Sequence, residues 1–111
     1  MPGVRIVEFV DTSGRSPFRR WFDGLNAEAA AKVTTALYRM GQGNFSNVKG
    51  VGSGVFEFRI DFGPGYRIYF SKDGDALVVL LGGSSKQRQR QAIAVAGQAW
   101  REYKQRKPAG R

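Results

Sequence analysis

The sequence predicts an α+β fold in which helices cover a mainly antiparallel sheet. Residues 54–70 alternate apolar and polar side chains as a β-hairpin does, with a break at Gly-Pro-Gly 63–65. Residues 16–40 and 85–107 instead repeat apolar side chains every three or four positions, the period of an amphipathic helix. We expect an antiparallel sheet of a first strand plus a three-stranded meander, packed by an N-terminal helical hairpin and followed by a basic C-terminal helix.

The N-terminal third predicts one strand and two helices. The loose alternation over residues 4–10 indicates the first strand. Ser16, followed by a proline, is a typical helix start, and the apolar stripe of this helix ends at Leu25. Asn26 is expected to cap a second helix that runs to Gly41. Because the link between these helices is short, they should form a hairpin against the sheet.

Residues 41–54 contain five glycines and two asparagines, and we expect a loop there. A loop of this length in a small domain is often functional. It can equally be a plain connector, and both interpretations stay open.

The alternation in the central hairpin predicts how its two strands pair. A register that places Phe62 opposite Tyr66 keeps the aromatic side chains together on one face. In the same register Arg59 lies opposite Tyr69. One face is then core. The other face presents its polar side chains together, namely Glu57, Arg59, Asp61, Arg67 and Tyr69.

The C-terminal half predicts one more strand and a helix. Residues 76–81 are apolar on both faces, which places this strand centrally in the sheet with helices covering one side. Gly82 and Gly83 should close it, and a helix should begin at Ser84 or Ser85. The helix has a narrow packing stripe of Ile93, Ala96, Trp100 and Tyr103. Residues 1–107 are expected to form a single domain, and 108–111 a frayed tail.

The charge composition favours a polyanionic partner. The 111-residue chain has a net charge of +9, and eight of its 18 basic residues follow Ser85, against one of its nine acidic residues. With no cysteine and no histidine, disulfides, thiolate metal sites and a histidine base are excluded. We expect no metal or other cofactor. The first residues lack a signal peptide and no apolar run could span a bilayer, so a cytoplasmic protein without membrane contact is expected.

The candidate site is a group of cations. Arg59 and Arg67 share the polar face of the hairpin, and Lys86, Arg88 and Arg90 follow the next strand. Guanidinium groups bind phosphate with two hydrogen bonds and keep their proton near neutral pH, so they suit anchoring and charge stabilisation. The alternative interpretation is a solvated face on which Asp61 and Arg67 form a cross-strand ion pair.

Three stretches carry a family resemblance: residues 54–61 with Glu-x-Arg-Ile, residues 63–70 with Gly-Pro-Gly-Tyr-Arg, and Leu-Leu-Gly-Gly at 80–83. Together they resemble the phage-derived addiction module killer protein, or HigB-like, branch of the RelE/ParE toxin superfamily. The likeness continues through residues 43–49 and the packing stripe of the last helix. It implies a small bacterial toxin that a co-encoded antitoxin, expected to be of the helix-turn-helix type, neutralises.

The resemblance also implies an activity and roles for residues. Many relatives cleave mRNA in the ribosomal A site, and Arg59 and Arg67 fall where those toxins hold the scissile phosphate. Lys86 falls near the basic residue after the last strand. The branch usually has an acidic residue and a lysine directly after the paired glycines, and here Ser84 and Ser85 precede Lys86, which corresponds to one inserted residue. The tyrosine that acts late in some relatives has no counterpart here.

The leading hypothesis is therefore a metal-independent mRNA endoribonuclease that acts at the ribosome. Arg59, Arg67 and Lys86 would stabilise the charged transition state. Glu57 and Tyr69 are the candidate general bases. The candidate RNA-binding residues are Lys49, Arg88 and Arg90. The alternatives are a non-catalytic inhibitor of DNA gyrase in the manner of ParE and a phage accessory protein that binds nucleic acid.

Overall fold

The computed structural model describes residues 3–107, in which helices cover both faces of one five-stranded sheet. In chain order the elements are β1 (Arg5–Glu8), α1 (Pro17–Asp23), α2 (Ala27–Gly41), β2 (Val48–Gly52), β3 (Val55–Ile60), β4 (Tyr66–Lys72), β5 (Leu77–Ser85), a 3₁₀ turn (Lys86–Arg88) and α3 (Gln89–Arg106). The strand order is β1-β5-β4-β3-β2, with β1 parallel to β5 and the other neighbours antiparallel. The predicted α+β class is confirmed. The tail predicted at 108–111 lies outside the described residues.

The β2 strand forms in the segment that the sequence predicts to be a loop. It is an edge strand antiparallel to β3, with Lys49 opposite Glu57. Ser53 and Gly54 form the tight turn between the two strands, and both have positive φ, 58° and 80°, as such a hairpin turn requires. The loop prediction is wrong for β2 because its glycines hide any alternation, and the strand depends on pairing with β3.

The register of the β3–β4 hairpin differs from the predicted one by two residues. Phe58 lies opposite Ile68 and Arg59 opposite Arg67. The connection is longer than expected, because the amide of Gly65 donates to the Phe62 carbonyl at 2.9 Å and closes a turn beyond the ladder. The predicted pairs Arg59–Tyr69 and Asp61–Arg67 are therefore wrong. A slip of two residues nevertheless leaves every side chain on its predicted face.

The two faces of the sheet are covered by different helices. The α1–α2 hairpin covers one face over a buried core of Phe18, Ala36, Val33, Met40, Phe58, Ile60, Ile68, Phe70, Val78 and Leu80. The other face packs on α3 through Phe9, Val55, Tyr69, Val79, Leu81, Ala96, Ala99 and Trp100. The expectation that β5 is covered on one side only is thus wrong. The alternative interpretation of the polar hairpin face as solvated is wrong for part of that face, because Glu57, Arg67 and Tyr69 are buried.

The β5 strand continues past the two glycines that were expected to end it. It pairs with β4 as far as Ser85, and a 3₁₀ turn then delays the start of α3 to Gln89. Gly83 lies within the strand, and a Cβ on it would overlap the ring of Trp21. The glycine thus makes room for an indole of α1 against the strand.

Both predicted helix caps are confirmed. The amide of Arg19 donates to the Ser16 hydroxyl at 3.0 Å, and the amide of Ala29 donates to the Asn26 side chain at 2.9 Å. These caps fix where α1 and α2 begin and so set the short link between them. Within residues 3–107, no helix combines the length and the apolar character needed to cross a bilayer.

Candidate active site

An open cleft of ≈ 370 Å³ lies at the closed end of the β3–β4 hairpin. Its lining residues are Arg59, Asp61, Phe62, Gly63, Pro64, Gly65, Arg67 and Lys86. The three cations come from three different elements: β3, β4 and the 3₁₀ turn. The structure therefore brings together the three basic residues that the sequence predicts as phosphate-binding groups.

Strand pairing places the two arginines directly opposite each other on one face of the sheet. Arg59 is exposed, whereas Arg67 is only 8% exposed. Like charges directly opposite each other across two strands destabilise a sheet. A bound anion such as a phosphate would relieve that repulsion, which makes this pair a candidate anion site.

The third cation is held at the cleft by a backbone hydrogen bond. The amide of Lys86 donates to the Gly65 carbonyl at 2.9 Å, so the hairpin loop and the 3₁₀ turn are joined. Gly65 has a φ of +81°, and a Cβ there would lie 3.1 Å from the Arg67 Nη1 atom. A glycine is needed at this position both for the turn and for the close approach of the Arg67 guanidinium.

Glu57 lies fully buried beneath the cleft. Its Oε1 atom accepts a hydrogen bond from the Gln89 side chain at 3.0 Å and lies 4.0 Å from the Arg67 Nε atom. Its Oε2 atom lies 3.8 Å from the Lys49 ammonium. Buried carboxylates require such partners. Glu57 therefore acts as a counter-ion behind Arg67, and α3 covers it from solvent.

Two atoms of this buried group have no hydrogen-bond partner in the described part of the chain: Glu57 Oε2 and Arg67 Nε. Each such atom costs about 1–3 kcal/mol of stability. Unsatisfied polar atoms in a buried position are uncommon and call for an explanation, which function often supplies. Here both belong to side chains at or directly beneath the cationic cleft.

Tyr69 is also fully buried and does not line the cleft. Its hydroxyl lies 3.1 Å from the Ser84 hydroxyl, which in turn donates to the Ser85 carbonyl at 2.9 Å. Burial raises the pKa of Tyr69 above its ordinary value, opposed by the hydrogen bond to Ser84 and reinforced by the nearby Glu57 carboxylate. A group that is buried and holds its proton this firmly is badly placed to deprotonate a substrate.

The predicted RNA-binding residues lie outside the cleft. Lys49 is exposed on the edge strand β2, where it faces Glu57. Arg88 is exposed at the end of the 3₁₀ turn and lines a separate hollow, and Arg90 is exposed in the first turn of α3. Their use in binding RNA stays a prediction.

Sequence reasoning missed Gln89, the hydrogen-bond donor to Glu57. A glutamine at a helix start has no spacing or charge pattern that would link it to a strand 32 residues earlier. No group of three or more His, Cys, Asp or Glu side chains that could hold a metal ion comes together within residues 3–107.

Two comparisons with known proteins bear on this site. Residues 20–104 match the family described as phage-derived protein Gp49-like (DUF891), and this segment contains every residue that lines the cleft. A Haemophilus influenzae protein described as uncharacterized is 41% identical over 80 residues, which cover 71% of this chain and 81% of that protein.

Proposed function

The chain belongs to the phage-derived Gp49-like family, a RelE-like toxin family of toxin–antitoxin systems, and from that premise we propose that it is the toxin of a type II system. Its proposed activity is metal-independent cleavage of mRNA at the ribosome, as in the HigB-like branch. One observation supports this most: Arg59, Arg67 and Lys86 line a single cleft, with Glu57 buried behind Arg67.

The chemistry needs cations at the scissile phosphate. In cleavage without metal, the adjacent 2′-hydroxyl attacks the phosphorus while the bond to the 5′-oxygen breaks, and negative charge builds on the phosphate. Arg59 and Lys86 are exposed and reach a bound phosphate, whereas Arg67 is held more deeply beside Glu57. Donors fixed in advance stabilise the transition state without reorganising during the reaction.

The proton of the 2′-hydroxyl must pass to a base. Because Glu57 and Tyr69 are fully buried, we assign neither of them the role of general base: Glu57 positions Arg67 from behind, and Tyr69 contributes its contact with Ser84 to the fold. Asp61 is the carboxylate among the residues that line the cleft, so it is the proton acceptor that bound RNA can reach. A carboxylate is a weak base near neutral pH, which fits a slow enzyme whose substrate the ribosome orients.

The proposed partner is an antitoxin of the helix-turn-helix type with an acidic segment that covers the cleft or the basic α3. The charge of +9 supports this pairing. The complex should weaken as salt rises, because salt screens exposed charges. Binding that is insensitive to several hundred millimolar salt would argue for an apolar contact instead.

The activity can be tested by inducing the protein in bacteria and mapping new 5′ ends on ribosome-bound mRNA. The wild-type chain should arrest growth and produce such ends, and Arg59→Ala should lower cleavage by about a hundredfold or more. Arg39→Ala is a matched control, because Arg39 is also an exposed arginine but lies on α2 away from the cleft.

Two results would contradict the nuclease. Growth arrest without new 5′ ends, accompanied by loss of gyrase supercoiling, would identify a ParE-like inhibitor. Nucleic-acid binding without growth arrest would identify a phage accessory protein. If the Arg59→Ala variant is folded and as active as Arg39→Ala, the cleft is not the site of cleavage.

A further inference from the structure

A second hollow opens where β1 has ended and β5 continues. The last β1 residue, Glu8, pairs with Leu80. The following residues of β5 have α1 and α3 on either side, and within residues 3–107 no strand pairs with them at that edge. The hollow has a volume of ≈ 250 Å³. Its lining residues are Pro17, Trp21, Gly82, Gly83, Ser84, Arg88, Gln91, Ala92 and Val95.

The lining suits a flat, partly polar ligand. Trp21 is a partly exposed aromatic residue, and the two glycines beside it leave the strand without side chains there. Arg88 and Gln91 are exposed and supply hydrogen-bond groups at the rim. Among the described residues that line the hollow, none is acidic.

The hollow and the cleft are neighbours in the sheet. Ser84, which lines the hollow, pairs directly with Arg67, which lines the cleft, and paired strands are about 4.8 Å apart. Along the chain, Lys86 of the cleft lies between Ser84 and Arg88 of the hollow. Arg59, Arg67 and Ser84 lie on three successive strands, so the two sites are about two strand spacings, roughly 10 Å, apart, and an RNA held in the cleft can place a nearby base in the hollow.

We propose that this hollow binds one nucleobase of the RNA whose backbone occupies the cleft. The base stacks on Trp21, and Arg88 and Gln91 contact its edge. Stacking on an aromatic side chain accepts any base, so discrimination between bases comes from these two polar residues. This inference rests on the proposed function, because it assumes that RNA is the ligand of the cleft.

The test measures binding separately from cleavage. A short 2′-O-methyl RNA cannot be cleaved by attack of the 2′-oxygen, and one base at a time can be replaced by an abasic ribose. Wild-type protein should show one position at which loss of the base weakens binding by about tenfold, within the range for stacking on an aromatic side chain.

A double variant, Arg88→Ala with Gln91→Ala, makes the test specific. Both residues are exposed, so the fold should be retained, and the penalty for the missing base should shrink at that one position. Arg101→Ala with Gln105→Ala is the matched control, because these are an exposed arginine and an exposed glutamine that do not line the hollow. The control pair should keep the wild-type pattern.

Two outcomes would overturn the inference. One is an abasic penalty that is uniform along the RNA, and the other is a penalty that the double variant leaves unchanged. Either would make an apolar side chain of a protein partner the better occupant. Both outcomes concern RNA binding and not cleavage, so either would leave the nuclease proposal standing. Conversely, base-dependent binding at the hollow would stand even if the protein did not cleave RNA.

Discussion

Helices bury both faces of the sheet, but the buried side chains on the two faces differ in polarity. Beneath α1 and α2 the buried side chains are apolar, with Phe58, Ile68 and Phe70 among them. Beneath α3 an apolar region around Trp100 is continuous with buried polar side chains, notably Glu57 and Ser84. Polar groups cost stability in such a position unless they are paired.

The polar part of the α3 face lies directly beneath the cationic cleft. Glu57 approaches Arg67 there, and two atoms of this pair lack hydrogen-bond partners among the described residues. Departures from good packing chemistry are expected at functional sites and are offset elsewhere in a fold. The comparison indicates that the α1–α2 face mainly stabilises the fold, whereas part of the α3 face supports the cleft.

The largest effect should follow from opening a cavity in the apolar face. Phe70→Ala removes a fully buried ring and should lower the free energy of unfolding by about 3–5 kcal/mol. Urea denaturation measures this loss, with exposed Lys72→Ala in the same strand as control. The cleavage rate per folded molecule should remain near wild type. A folded Phe70→Ala protein without activity would show that both faces serve the cleft.

The next effect concerns Arg67 and separates activity from stability. Arg67→Ala should lower the cleavage rate by about a hundredfold or more. It should also lower the free energy of unfolding by about 1–3 kcal/mol, because the buried Glu57 loses one of the two cations that lie within 4.0 Å of it. Adding Glu57→Gln should restore stability without restoring activity. If the double variant regains cleavage, Arg67 serves only to neutralise Glu57.

A smaller effect is expected for Tyr69, which belongs to the polar part of the α3 face. Tyr69→Phe removes the hydroxyl that contacts Ser84 and should cost about 0.5–1.5 kcal/mol of stability. Cleavage should change little, because the hydroxyl is buried away from the cleft. Single-turnover cleavage of RNA measures this. A folded Tyr69→Phe protein with no activity would instead make Tyr69 the general base.

The smallest effect is a pH dependence of stability. The pKa of Tyr69 is raised in the folded chain, mainly by burial. Above the ordinary tyrosine pKa of about 10 the unfolded chain loses this proton while the folded chain keeps it, so the stability falls as pH rises. Unfolding followed between neutral and strongly alkaline pH should therefore show a shallower loss for Tyr69→Phe. Identical slopes would contradict the assigned burial effect.

Local features of the fold could be predicted from the sequence because they depend on local chemistry. The caps at Ser16 and Asn26 require only a side chain and the amide three residues later. The faces of β3 and β4 follow from the two-residue period of a strand. The register did not follow, because a slip of two residues keeps every side chain on its face and only the loop length distinguishes the alternatives.

Part of the candidate site could also be predicted from the sequence. Arg59, Arg67 and Lys86 were found because their charge and positions match a known pattern, and the structure places them in one cleft. The burial of Glu57 could not be predicted, because it depends on where α3 packs. The strand β2 and the contact of Gln89 with Glu57 likewise exist only through tertiary contacts.

The close packing of the Trp21 indole on Gly83 also constrains the order in which these two residues can be substituted during evolution. A methyl group at position 83 would overlap the Trp21 ring, so the ring would have to leave the strand first. A smaller side chain at position 21 creates room and leaves the glycine unaffected. A lineage that changes Trp21 before Gly83 therefore avoids this overlap, whereas the reverse order passes through an intermediate in which the two groups collide.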